Sequence, residues 1–468
     1  MEGLEVSEIL KTELERTLRI DSEFYSKENL RIIDIISKHK LNDLTQLVKV
    51  SDGNHMSISA NFIESGIPYY RGQNIHNYFI EESNPICIDL KSFNLPVMKR
   101  SHLKEGDVLL SIVGTIGGVA LVTSNEKATC NCKLAIFRPE NTDGYFLSAF
   151  LKSKYGQNQI KKFTRGAVQM GLILEDMNQI MVPIFSNSFQ KQVRDIIQTA
   201  KEKSHLAIQT YTNAEIILLK EIGLQNFEPS KAPVNIKSLK ETFGLSGRLD
   251  AEYYQVKYEV VENAIKKYKN GFEKLEYFIS NSSTGYTYKS ETYCNEGIPL
   301  IRINNISRGI LDLSNATNIP FKDFDLSKKD IANEDDILIS MSGTIGNSCK
   351  IPKGVKAVVN QRIMRITPKN VNVDVLPLLI NSIIGQYQLE RIGTGGVQTN
   401  ISANDIKEIF IPRFHSDKQI QIAELIKQSF KLKNQSEKLL EVAKRAVEIA
   451  IEENEAIALD FIAKNAVL

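Results

Sequence analysis

Apolar residues along the chain follow two alternating rhythms, and the alternation occurs twice. From Ser188 to Glu221, apolar or small residues recur in steps of three and four at Val193, Ile196, Ala200, Ala207, Tyr211, Ala214 and Leu218, while Lys, Glu and Gln fill the opposite side. That spacing predicts a long helix with a heptad seam. From Asp417 to Glu453 the same steps return at Ile422, Ile426, Leu440, Ala443, Val447 and Ala450. Lys203, Ser429 and Ser436 interrupt the two seams and are expected to weaken them, whereas the alanines allow close helix approach. Ahead of each long helix the rhythm shortens. Residues 41–185 and 270–413 carry short apolar runs punctuated by Gly, Asn and Pro. Ile67-Pro-Tyr-Tyr70, Asp107 to Val113 and Leu134 to Phe137 read as strands by length and β-branched content. A helical insertion is predicted from Tyr145 to Phe163. Helical leads are predicted before each β-rich stretch, at Ser7 to Leu18 and Ser22 to Lys40, then at Ile236 to Phe243 and Ala251 to Lys269. Pro229 and Pro233 mark a linker.

The two rounds are copies. Arg19-Ile-Asp-Ser-Glu-Phe-Tyr25 returns as Arg248-Leu-Asp-Ala-Glu-Tyr-Tyr254, a shift of 229 residues. The same shift carries Asp107-Val-Leu-Leu-Ser onto Asp336-Ile-Leu-Ile-Ser, Gly114-Thr-Ile-Gly117 onto Gly343-Thr-Ile-Gly346, Asn131 onto Asn360 and Gln190 onto Gln419. Gly66-Ile-Pro68 and Gly297-Ile-Pro299 match at a shift of 231, so small insertions lie between anchors. A period this long is a duplicated domain, since solenoid repeats run about 20–50 residues. The organisation read from sequence is an α+β tandem duplication: a helical lead (1–40), a β-rich body (41–185), a long helix (186–228), a linker with a second lead (229–269), a second β-rich body (270–413) and a second long helix (414–468). Between anchors the copies diverge, notably at 51–65 against 280–296 and at 76–100 against 307–330. A repeated frame carrying different loops suits two readers of two different sequences.

Bulk composition narrows the class. At 468 residues, with 42% apolar and 24% charged residues, the chain is ordinary globular protein of more than one domain. No apolar run reaches the roughly 18 residues of a membrane span, and the acidic start lacks an apolar signal core, so a cytoplasmic protein without a membrane partner is expected. Five cysteines without a C-x-x-C pair argue against a disulfide framework or a zinc cage. The net charge of +2 is uninformative, but Lys152, Lys154, Lys161, Lys162 and Arg165 occur without an intervening acid. They form either a phosphate-binding surface or a solvated face. The equivalent stretch of the second copy holds Arg391 beside Glu390.

No catalytic set is visible. The Asn-Pro-Pro-aromatic and Asp-Pro-Pro-aromatic motifs of amino-methyltransferases are missing, as are H-E-x-x-H and G-x-S-x-G, and the six histidines do not recur at the repeat shift. Gly114 to Gly118 lacks the Lys-Ser/Thr pair of a P-loop, and Val119 to Thr123 reads as a strand, so a tight turn is predicted there. What recurs is glycine and amide. Arg165-Gly-Ala-Val-Gln169-Met-Gly171 returns as Thr394-Gly-Gly-Val-Gln398-Thr-Asn400. Such a loop either brings backbone N–H groups to phosphates or uses its Gln to tie down its own backbone. Arg71, Gln73 and Asn74 align with Arg302, Asn304 and Asn305. These are residue types that read guanine and adenine edges, or they simply end a strand.

The ordered set of Gly-Ile-Pro, Asp-x-Leu-Leu/Ile-Ser, Gly-Thr-Ile-Gly, Asn360-Gln361, the Gly-x-x-Gln loop and a following long helix, duplicated over nearly the whole chain, resembles the specificity subunit of type I restriction-modification enzymes. Cys132 in place of Gln361 and Met170-Gly171-Leu172 in place of Thr399-Asn400-Ile401 are departures in the first copy. The resemblance implies that each β-rich body is a target recognition domain reading half of a split site in double-stranded DNA. It implies that the two helices pack antiparallel as a spacer and dock two methyltransferase subunits, which carry S-adenosylmethionine and flip the target adenine, and that a translocating restriction subunit joins them. The chain itself would need no cofactor and perform no catalysis. Arg71, Gln73, Asn74, Lys161, Lys162, Arg165, Gln169, Arg302, Asn304, Asn305, Arg391 and Gln398 are then the candidate DNA contacts. The rival classes are an enzyme with a degenerate site and a helical scaffold that binds no DNA.

Overall fold

Strands form where the apolar runs are short and β-branched, and every one of the longer runs is buried. In the computed structural model, which describes residues 6–11, 14, 19–75, 78–82, 85–166, 170–229, 234–393 and 400–466, the first β-rich body holds two four-stranded sheets. One is antiparallel in the order Val48–Asp52, Leu134–Pro139, Val108–Ser111, Val119–Leu121. Its central strand Val108–Ser111 is buried at every position. The other runs Phe62–Ile63, Ile86–Ile88, Ile67–Tyr70, Thr129–Cys130, and its last pair is parallel. A small pair, Leu41–Asp43 with Met181–Pro183, brings the ends of the body together. The second body repeats this plan. Ile279–Ser283, Ile363–Pro368, Ile337–Ser340 and Ser348–Lys350 make the antiparallel sheet, Thr317–Ile319, Ile298–Ile301 and Val358–Val359 the mixed one, and Phe272–Lys274 with Phe410–Pro412 the closing pair.

The Gly-Thr-Ile-Gly segments are tight turns. Val108–Ser111 and Val119–Leu121 pair antiparallel across the first, and Gly114, Gly117, Gly343 and Gly346 have φ of 87°, 89°, 71° and 76°, which other residues rarely adopt. A glutamine ties each turn to a helix. Gln157 Nε2 donates to Gly117 O (3.0 Å) and Leu151 O (2.7 Å), and Gln386 Nε2 to Gly346 O and Ile380 O (both 2.9 Å). Gln190 and Gln419, which recur in sequence, serve the frame too: each accepts from a backbone N–H, of Asp143 (3.0 Å) and of Asn372 (2.8 Å).

The chain divides into two compact units, 1–205 with 432–468 and 206–431, so each contains one β-rich body and a stretch of both long helices. Those helices, Asn187–Glu221 (35 residues) and Ser416–Glu452 (37 residues), run antiparallel. In the first unit Val193, Ile196 and Ala200 share a core with Leu439, Ala443, Val447 and Ala450. In the second, Ala214 and Leu218 share one with Ile422 and Ile426. The two serines expected to weaken the seam instead complete it. Ser436 Oγ donates to Ala200 O at 2.6 Å, and Ser429 Oγ donates to Ala207 O at 2.7 Å. All four residues are buried. A hydroxyl reaches a backbone carbonyl this closely only where the facing residue is small, which explains why alanine stands opposite serine each time. Lys203 bonds Gln435 Oε1 at 2.9 Å rather than leaving a buried charge.

Three helix expectations need correction. In the lead at Ser7 to Leu18 the described residues, 7–11 and 14, hold no α-helix, and the one at Ile236 to Phe243 is irregular, with a short helix only at Phe243–Ser246. In the second lead Ile236 and Leu239 are exposed, so its described residues bury no apolar face that would stabilise a helix there. Lys27–Ile36 and Val256–Lys266 carry the leads that do form. The insertion at Tyr145 to Phe163 is two helices, Gly144–Lys152 and Lys154–Phe163, broken at Ser153, which is extended (ψ 161°) and caps the second through Gly156 N at 3.3 Å. Among the described residues no helix is long and apolar enough to cross a membrane.

Candidate nucleic-acid interface

The Arg-x-Asp-x-Glu-aromatic-Tyr segments lie beside the basic helices. Arg19 and Arg248 each hold the aspartate two residues on, through two hydrogen bonds of 2.6–2.9 Å. Each also lies over the aromatic ring of its own segment, Phe24 at 4.6 Å and Tyr253 at 4.5 Å from the centroid. The same ring receives a second cation from the second helix of the insertion, Lys154–Phe163 in one body and Ile383–Ile392 in the other. Lys162 Nζ is 4.2 Å from the Phe24 centroid, and the Arg391 guanidinium is 4.3 Å from that of Tyr253. Lys162 and Arg391 are equivalent positions of the two copies.

This arrangement revises the basic patch. Lys162 is only 5% exposed, and Arg391 also pairs with Glu262 and donates to Tyr253 O at 3.0 Å. Both are packing cations, because an aromatic face and local acceptors replace the water they lose on burial. Arg165 is half exposed but held by Asp176 at 2.5 Å. Burial pushes the Asp176 carboxyl up in pKa, and the nearby Arg165 partly offsets it. Lys161 stays exposed, on a groove of about 890 Å³ that also takes in Arg19, Lys154, Gln157, Asn158 and Gly117.

The Arg-x-Gln/Asn-Asn segments form one turn in both copies. Asn74 Oδ1 accepts from Arg71 N, and Asn305 Oδ1 from Arg302 N, both at 2.9 Å. Their amide nitrogens donate to Glu81 O (3.3 Å) and Asp312 O (3.0 Å). Asn74 and Asn305 are buried, and the oxygen and nitrogen of each amide bond backbone groups, so they build the turn. Gln73 and Asn304 stand exposed on it. Arg71 and Arg302 are half-buried, and in both the Nε is buried without an acceptor among the described residues. Gln169 and Gln398 lie outside the described residues.

A feature that the sequence did not single out is a loop pinned against the Asn131 and Asn360 turns. Asn54 N donates to Cys130 O (2.8 Å) and Cys132 N to Asn54 O (3.0 Å). In the second copy Tyr286 N donates to Val359 O (2.9 Å). A Cβ on Gly53 or Gly285 would lie 2.0 Å from the carbonyl oxygen of Asn131 or Asn360, so backbone meets backbone at both places and only glycine fits. The signal available in sequence was a glycine at nearly the repeat shift inside an otherwise divergent segment.

Comparison with known proteins follows the same duplication. The model of the type I restriction modification DNA specificity domain matches residues 37–216 and again 278–442. The Type I restriction enzyme EcoBI specificity subunit of Escherichia coli is 26% identical over 146 residues, a segment that spans 31% of this chain and 31% of that relative. Two solved structures are similar at 13% identity. The S subunit of a type I restriction-modification system from M. genitalium has a TM-score of 0.39 over 88% of this chain and 95% of its own. The HsdS subunit from Thermoanaerobacter tengcongensis has 0.29 over 89% and 97%. Two matches of one family model, on two bodies of one topology and over most of the sequence, establish that the chain belongs to the type I restriction modification DNA specificity domain family.

Proposed function

We propose that the chain is the sequence-specific DNA-recognition subunit of a type I restriction-modification complex. Residues 41–185 and 270–413 each read one half of a split site in duplex DNA. The long helices dock two methyltransferase subunits and, through the complex, restriction subunits. Catalysis resides in those partners, and the chain acts in the cytoplasm. The observation that carries this reading is a frame repeated in both bodies, with the same order of strands in the antiparallel sheet and the same closing pair, under surface loops that differ. Two copies of one enzyme partner suit the repeated part, and two unlike half-sites suit the rest. The closing strand pairs at Leu41–Asp43 with Met181–Pro183 and at Phe272–Lys274 with Phe410–Pro412 support the limits given to the two bodies. Among the described residues, Gln73, Asn304 and Lys161 are sequence candidates whose side chains remain available to DNA.

The test is methylation. Alone, the purified chain transfers no methyl group and cuts no DNA. With its cognate methyltransferase subunit it directs adenine methylation to a split, asymmetric site. Methyl transfer by the chain alone, or methylation at no defined site by the complex, refutes the reading.

A further inference from the structure

If the two bodies read different half-sites, the bases must be met by side chains that differ between the copies, yet stand on backbone that does not. The amides that recur are engaged in the frame, as Gln157 and Gln386, Gln190 and Gln419, and Asn74 and Asn305 show. They fix the fold and cannot by themselves distinguish one half-site from the other.

The pinned loop has the required character. Its start is the same in both bodies, a glycine jammed against the Asn131 or Asn360 carbonyl. The next residue forms a parallel bridge to that asparagine, Asn54 to Asn131 and Tyr286 to Asn360. The return of the loop is anchored by a buried side chain, Ile58 in one body and Tyr288 in the other, each inside its own small core. Between these anchors only side chains project. In the first body they are His55, Met56 and Ser57, and in the second Thr287, flanked by the exposed side chains of Tyr286, the bridging residue itself, and of Lys289, just past the anchor. The two sets share no residue, and both contain hydrogen-bonding groups beside an apolar or aromatic one, the mixture that base edges and thymine methyls require.

The projecting groups are also held in place. Tyr286 packs edge-on against the Tyr288 ring at 4.9 Å. The Thr287 hydroxyl donates to Gln361 Oε1 on the constant turn. His55 Nε2 lies 2.5 Å from Asp52 Oδ2, on the buried end of the strand that leads into the loop. Held side chains lose less freedom on docking, which favours specific contact over loose phosphate attraction. Lys289 is exposed, and its ammonium has no acceptor among the described residues.

We infer that His55, Met56 and Ser57 in the first body, and Tyr286, Thr287 and Lys289 in the second, determine base specificity by entering the major groove of their half-sites, with Gln361 as the positioning residue of the second loop. This rests on the function proposed above. The test uses the complex with its methyltransferase subunits, and the readout is the methylated motif found by sequencing the genomes of cells that carry it. Changing Tyr286, Thr287 and Lys289 together to Ala relaxes one or more base positions of a single half-site, with discrimination there reduced by roughly 5- to 150-fold. The other half-site stays as it was. Changing His55, Met56 and Ser57 together to Ala does the converse. Thr287→Val is nearly isosteric and frees Gln361, and it relaxes the same half-site without altering the salt dependence of binding. Gln361→Ala reproduces that effect, which a role confined to folding would not. A wild-type complex with no split motif overturns the parent reading and this one with it. A wild-type split motif that survives intact in either triple variant and in Thr287→Val overturns this inference alone.

Discussion

Two adjacent lysines, one exposed and one buried, test whether this face meets DNA. From sequence, Lys161, Lys162 and Arg165 form one patch, and removing all three would flatten the salt slope of DNA binding by up to about three units. The structure reduces this to about one. Of the three, only Lys161 is exposed with no ion pair or ring contact among the described residues. Lys162 is buried over Phe24, and Arg165 neutralises Asp176. Each phosphate contact contributes about 0.9 to the slope of log K against log salt. Lys161→Ala should therefore lower that slope by about 0.9. Between 50 and 200 mM salt the variant then loses about 3.5-fold less affinity than wild type, equally on cognate and unrelated duplexes. Lys162→Met should leave the slope alone and instead lower stability by about 0.5–2 kcal/mol, the range for a cation over an aromatic ring. The assay is duplex binding by the assembled complex across a salt series, beside urea unfolding of the chain. If Lys162→Met flattens the slope and Lys161→Ala does not, the burial argument is wrong. If neither changes it, this face does not meet DNA.

Further outcomes follow from packing. Arg365 and Asp336 are 2% and 1% exposed and paired at 2.6 Å, so Arg365→Met should destabilise the second unit by about 3–5 kcal/mol in urea unfolding. Adding Asp336→Asn should recover much of that loss, since the unpaired charge is the cause. Ser429→Ala and Ser436→Ala should each cost about 1 kcal/mol, because the freed carbonyl retains its helical hydrogen bond. Ser436→Leu should cost more, by forcing the helices apart. Burial lowers Lys152 to about 8, and Lys444 adds to the effect. Between about pH 8 and 10.4 the unfolded chain therefore binds more protons than the folded one, and stability should rise with pH through that window. Lys152→Met should flatten the rise and add on the order of 1–3 kcal/mol at pH 7. Seven residues inserted into both long helices keep each seam in phase and should lengthen the non-specific gap of the methylated motif by roughly three base pairs. An unchanged gap would leave the helices without a spacing role.

Much of the architecture is a matter of local rhythm, and so could be read without coordinates. The steps of three and four that run from Val193 to Leu218 force one face of a helix to be apolar, and Asn187–Glu221 is that helix. The β-branched runs at Val108 and Ile337 have no other stable use than buried strands. Gly114 and Gly117 announce positive φ because no other residue is comfortable there. The duplication is visible because both copies must satisfy the same frame, so Gln190 and Gln419 answer the same backbone N–H groups.

Tertiary structure decided which polar residues are spent and which are free. Lys161 and Lys162 are neighbours in sequence, yet one faces solvent while the other is covered by Phe24, from a segment over a hundred residues away. Arg391 has the same fate through Tyr253, 138 residues away. Asn74 and Gln73 are equally plausible readers until the turn closes and consumes the amide of Asn74. Ser429 and Ser436 look like flaws in a seam until Ala207 and Ala200 bring a carbonyl within reach. The pinned loops escaped notice because their signal is a backbone contact of two glycines with two asparagines, and the side chains that matter have nothing in common. Sequence periodicity records which face a residue takes within its own element. Whether its polar group is satisfied depends on what distant chain folds over it, and among the described residues that leaves Gln73, Asn304, Lys161 and the two loops open to a partner.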